Sequence, residues 1–165
     1  MPALVAGVRA PEISLTSVDG SKFSLQDALK HGPVVAAFFK VSCPVCQLAF
    51  PYLERIFKAY CKSGKFTFVG VSQDDAADTK RFARDYGVTF PILLDPPGKY
   101  PVSNAYGLTN VPTVFLISEG EIESSIVSWS KADMEQLSMR LAEVSGTAVA
   151  QIFRPGEKVT DYKPG

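Results

Sequence analysis

The chain has 165 residues, 17 Lys and Arg against 17 Asp and Glu, a formal net charge of zero, and 46% hydrophobic with 21% charged residues. This is ordinary globular composition, long enough for one domain (1–165) with a real core. Balanced charge without basic or acidic blocks argues against nucleic acid or anionic membrane as a main partner, and no stretch approaches the ~20 apolar residues of a membrane span.

At the N-terminus, Met1–Arg9 lacks a charged region followed by a long apolar segment, so no signal peptide is read there. The expected location is cytoplasmic, or periplasmic or secreted if a signal has been removed. Ile13–Thr16 and Lys22–Ser24 alternate around Asp19-Gly20, which predicts a small hairpin. Ser24 followed by Asp27 marks a capped short helix ending near Gly32-Pro33, with His31 as a turn residue. The apolar run Val34–Phe39 has the length and composition of a buried strand. A helix follows from about Pro44 to Cys61, its apolar Leu48, Leu53, Ile56, Phe57 and Tyr60 at helical spacing, with Pro51 inside as an expected kink.

Phe66–Val71 predicts a second core strand, and Asp74 or Asp75 caps a helix that Gly87 terminates after Tyr86. Phe90–Leu94 is a third strand, Asp95–Gly98 a loop, and Val102–Tyr106 a short helix. Thr113–Ser118 and Glu121–Val127 read as a hairpin through Glu119-Gly120. Ser130–Asp133 resembles a capping box opening a last helix to about Val144. From Gly146 onward, Arg154-Pro155-Gly156 and Lys163-Pro164-Gly165 predict an extended, loosely packed tail. Alternating strands and helices give an α/β fold: a central mixed sheet with helices on both faces and an N-terminal β-hairpin.

The chemistry-bearing motif is Cys43-Pro44-Val45-Cys46, directly after the first core strand. Pro44 suits a first helical position, because its missing N–H would be unpaired there anyway. Unpaired N–H groups at a helix start favour negative charge, so Cys43 is the expected thiolate nucleophile and Cys46, one turn in, the buried resolving thiol. Packing alone is the alternative reading of two such small apolar side chains. Three cysteines do not make a disulfide scaffold, and Cys61 and His31 lack metal-motif spacing, so neither metal nor cofactor is expected. Cys61 reads as a helix-end filler. Trp129, Tyr100 and Tyr106 read as packing residues, with a substrate-lining role for Trp129 as the alternative.

Four features over about residues 7–145 together resemble the thioredoxin-like superfamily, in its TlpA/ResA-like redoxin branch that grades into AhpC/TSA peroxiredoxins. They are the strand leading into Cys43–Cys46, Pro51 in the following helix, Val111-Pro112-Thr113 before a core strand, and the segments Val69–Asp74 and Phe90–Asp95. The resemblance implies a thioredoxin-like fold and a cis proline at Pro112 facing the cysteines. It further implies a substrate surface made by Val111, Pro112, Pro44 and Val45, with the Val111 backbone pairing an extended substrate segment. The function implied is thiol–disulfide exchange with protein disulfides; beside it, an upstream thiol reductant is the expected partner and a monomer the expected state.

This chain also departs from the pattern. Ser42 replaces the tryptophan before the first cysteine, and Ala37 and Ala49 stand where relatives carry a carboxylate near the buried thiol. No general base is therefore assigned. Lys40 is a candidate for electrostatic support, against the plainer reading of a solvated lysine. A thiol peroxidase using Cys46 is the first rival, yet Phe39, Cys43 and Pro112 stand where peroxiredoxins have proline, threonine and arginine. A non-enzymatic redox sensor is the second.

Overall fold

The computed structural model describes residues 3–165. Strands β1 (Ser14–Ser17) and β2 (Lys22–Ser24) form the N-terminal hairpin, and α1 (Leu25–Leu29) starts where the Ser24 hydroxyl accepts the Asp27 N–H. All six residues of β3 (Val34–Phe39) are buried, so both of its faces need cover. The next elements are α2 (Pro44–Tyr60), a 3₁₀ turn (Cys61–Ser63), β4 (Thr67–Ser72), α3 (Ala76–Tyr86), β5 (Ile92–Leu94) and α4 (Pro101–Ala105). The chain closes with β6 (Thr113–Ser118), β7 (Glu121–Val127), β8 (Trp129–Ser130), α5 (Lys131–Ser145) and β9 (Tyr162–Lys163).

Seven strands form one sheet in the order β2-β1-β5-β4-β3-β6-β7, with β3, β4 and β5 parallel and the other pairs antiparallel. Alternate side chains of the central strands feed two cores. Val35, Ala37 and Phe39 join residues of α2, α3 and α5 on one face, where the Phe50 ring lies 4.3 Å from Phe39 and 5.5 Å from Phe82. Val34, Ala36 and Phe38 join Leu25, Val102 and Tyr106 on the other. Burying a side chain of this size contributes about 1.5–3 kcal/mol, so these two layers carry most of the fold. The mixed sheet with helices on both faces is the expected thioredoxin-like architecture. No described helix is long and apolar enough to cross a membrane.

Two local expectations shift for identifiable reasons. The third strand is shorter than Phe90–Leu94, because the N–H groups of Thr89 and Phe90 donate to the buried Glu54 carboxylate of α2 instead of to a neighbouring strand. The tail after Gly146 is extended but not loosely packed. Ile152 is 6% exposed, and Phe153 packs on Tyr52 and Trp129 at ring distances of 5.2 and 6.1 Å. Arg55 of α2 grips the Glu157 carboxylate through two hydrogen bonds of 2.8 and 2.9 Å. That pairing holds the Glu157 carboxyl at about 2, well below the ordinary range. Trp129 is fully buried as a packing residue, and its indole N–H donates to Thr160 O at 2.7 Å.

Candidate active site

Strand register brings three loops to one end of the sheet. Phe39 of β3 lies opposite Ser72 of parallel β4, and Phe38 lies opposite Thr113 of antiparallel β6. The segments leaving β3 (Lys40–Cys43), leaving β4 (Gln73, Asp74) and entering β6 (Asn110–Pro112) therefore meet there. Val41 is held at both its polar backbone groups: its N–H donates to Asp74 Oδ2 at 2.8 Å, and its C=O accepts from Gln47 Nε2 at 3.0 Å. A turn closed by the Cys43 N–H on Lys40 O, 3.2 Å, then delivers Cys43 to the start of α2.

Cys43 is the N-cap of α2, with φ −83° and ψ 116°, and its Sγ accepts the Cys46 N–H at 3.2 Å. One of the donors that a helix start leaves without an intrahelical partner is thus aimed at the Cys43 sulfur. Pro44 follows at the first helical position, as its fixed φ and missing donor require. The two sulfurs differ sharply in surroundings. Cys43 is half-buried, while Cys46 is fully buried among Ala37, Ala49 and the aromatic core. Burial pushes the Cys46 thiol well above its ordinary value. The Cys43 sulfur and the Asp74 charge push the same way, and a hydrogen bond with the Lys40 backbone opposes them.

The Val111–Pro112 peptide is cis, and the Cys43 thiol donates to Val111 O at 3.4 Å. The structure thus brings Cys43, Cys46, Val111 and Pro112 together. Pro44 is exposed beside them, Val111 is half-buried, and Val45 and Pro112 are buried. The Val45 side chain packs into the core, so only Pro44 of the dipeptide presents a surface. Lys40 is exposed, its side chain lining a cavity of about 230 Å³ with Gln73, Tyr100, Ser103, Asn110 and Val111. Cys61 sits at the other end of α2, its Sγ 4.0 Å from Lys58 O, and is not brought to the pair.

Asp74 is the charged residue that sequence reasoning missed. It was one of two candidate caps for α3, and Asp75 takes that role by accepting the Asp78 N–H at 2.8 Å. The second aspartate is left to turn toward the cysteine loop, and a doubled Asp where one cap suffices was the available signal. Asn at this position keeps an acceptor for the Val41 N–H and removes the charge. A negative charge beside a thiol disfavours its thiolate, so Asp74→Asn lowers the Cys46 pKa. With a small thiol preloaded on Cys43 as a mixed disulfide, closure of Cys43–Cys46 at fixed pH is then expected to speed up by about threefold, read by acid quench and mass spectrometry against the same protein with Asp74 intact.

A sheet of this order, carrying a two-cysteine helix start opposite a cis-proline loop, defines a thioredoxin-fold dithiol protein. Residues 6–125 match the AhpC/TSA family. The chain is 34% identical over 136 residues to the thioredoxin-like protein YneN of Bacillus subtilis, covering 79% of this chain and 76% of that protein. It is 30% identical over 136 residues to the thiol-disulfide oxidoreductase ResA of Geobacillus thermodenitrificans, covering 81% and 76%. Among solved structures, the thioredoxin domain of a thiol-disulfide oxidoreductase from Bacteroides vulgatus superposes with a TM-score of 0.73 at 26% identity, covering 84% of this chain and 98% of that one. The chain belongs to the AhpC/TSA family, among its TlpA/ResA-like thiol-disulfide oxidoreductases.

Proposed function

We propose that Cys43 and Cys46 are the exchanging pair and that protein disulfides are the substrate. The observation that carries this reading is the asymmetry of the two sulfurs: one is half-exposed at a helix N-cap, the other sealed one turn behind it. The Cys43 thiolate attacks one sulfur of the substrate disulfide, forming a mixed disulfide and releasing one substrate thiolate, which takes up a proton. The Cys46 thiol then loses its proton, and its sulfur attacks Cys43 Sγ. The second substrate thiol departs, and Cys43–Cys46 is left oxidised. Two electrons and two protons pass to the substrate in each cycle.

Substrate meets the exposed Pro44 ring and the backbone of Val111 beside the Pro112 ring, whose lack of an N–H leaves an inert wall next to the sulfurs. A Cys46 thiol pushed up by burial is a poor leaving group, which restrains the reverse reaction, reopening of the Cys43–Cys46 disulfide by a substrate thiol. In a glutathione-poised cytosol, the compartment proposed for this monomer, the pair runs as a reductant and is renewed by another thiol system.

The peroxidase alternative requires Cys46 to meet peroxide as a thiolate. A fully buried sulfur whose thiol is pushed up by burial does not suit that role. Wild-type protein is therefore expected to catalyse insulin disulfide reduction by dithiothreitol at least ~10-fold above background. It should consume hydrogen peroxide no faster than an ordinary thiol. Rapid peroxide turnover without insulin reduction would reverse the assignment, and the absence of both activities would favour the sensor.

A further inference from the structure

The docked tail reaches the candidate active site. β9 runs antiparallel to β8, with Lys163 opposite Trp129 and Tyr162 opposite Ser130, and the Lys131 N–H donates to Asp161 O at 2.9 Å. Two side chains then clip Gly165: its N–H donates to Ser128 Oγ at 2.9 Å, and its C=O accepts from Asn110 Nδ2 at 2.9 Å. Asn110 is the residue directly before Val111. Gly165 lies so close to this loop that a Cβ on it would collide with Val111 O and fall 3.3 Å from the Pro112 ring. Val111 O is also the atom that the Cys43 sulfur meets at 3.4 Å. Extended backbone of this chain thus lies against the loop where a substrate strand would pair.

The tail is held unequally along its length. Its root is anchored by Phe153 against Tyr52 and Trp129, by the Arg55–Glu157 pair and by the Trp129–Thr160 hydrogen bond. Its tip is a two-residue strand, exposed along both residues, and the two side-chain clips on Gly165. Such a tip can be displaced without unfolding its root, because low-stability segments open independently of the core.

We propose that residues 162–165 form a specificity-determining strap over the substrate groove at Val111 and Pro112. The proposal rests on the reading of Cys43 as the attacking sulfur. Small disulfides reach the half-exposed Cys43 past the strap. An extended polypeptide has to displace the strap before its backbone pairs with Val111, so part of its binding free energy is spent on that opening.

The test compares wild type, the double variant Asn110→Ala/Ser128→Ala, which removes both clipping side chains, and Gly165→Val, which keeps those side chains but drives position 165, and its clipped backbone atoms, off Val111 O. Reduction of insulin and of hydroxyethyl disulfide is followed with dithiothreitol as terminal reductant. Both variants are expected to raise kcat/KM for insulin about fivefold, chiefly through KM, and to leave hydroxyethyl disulfide unchanged. An insulin-to-small-disulfide ratio that stays constant or falls in either folded variant overturns the strap. Cys43→Ser separates the two levels of inference: if it is inactive on both substrates while the ratio fails to move, only the strap is lost. Activity persisting in Cys43→Ser overturns the exchange reading and the strap with it.

Discussion

Cys43→Ser is expected to bring insulin disulfide reduction down to the uncatalysed rate, erasing the whole excess of ~10-fold or more that wild type shows over background. A hydroxyl is almost wholly protonated at neutral pH and forms no mixed disulfide, so the first bond-making step disappears. The substitution is a clean probe because serine is itself a preferred N-cap. Its Oγ can accept the Cys46 N–H that now meets Cys43 Sγ at 3.2 Å. Helix α2 should therefore start where it does now, and a thermal melt within a few degrees of wild type would show that chemistry rather than folding was lost. The same variant decides between rivals, since a peroxidatic Cys46 would continue to consume peroxide in the absence of Cys43.

Cys46→Ser is expected to separate the two half-reactions. The first attack needs only Cys43, so a stoichiometric burst of substrate thiol should remain. Resolution has lost its nucleophile, and steady-state turnover should fall by about 10-fold or more, to near the uncatalysed rate. Position 46 has no solvent exposure, and burying a hydroxyl without a partner costs roughly 1–3 kcal/mol, so Cys46→Ala is the companion variant. If both variants show the burst without turnover, loss of the buried thiol is the cause, whatever either costs in stability.

The sequence showed most where the determining interactions are local. The strand before the cysteines, the hairpins and the caps at Ser24 and Ser130 all rest on residues within a few positions of one another, and each formed as expected. Pro112 could be singled out because a Val-Pro-Thr element before a core strand is a recognisable pattern, and its peptide is cis in the structure. The tail was misjudged because its contacts are remote. Arg55 and Glu157 are 102 residues apart, and the lone Ile152 and Phe153 carry no periodicity that would mark them as docked. Asp74 was missed for the same reason, its partner Val41 lying 33 residues away across a parallel strand pair. Ala37 and Ala49 were legible as absences of a carboxylate. The charge that does act on Cys46 enters from the neighbouring strand's loop, where only the β3–β4 register could place it.

The central claim is that Cys43 makes the first bond to substrate. The most direct measurement is to incubate Cys46→Ser with a protein disulfide, quench at acid pH and map the covalent adduct by peptide mass spectrometry. One substrate chain bound through Cys43, with Cys61 free, is the predicted result. An adduct on Cys61, or no adduct while wild type turns over the same substrate, would contradict it.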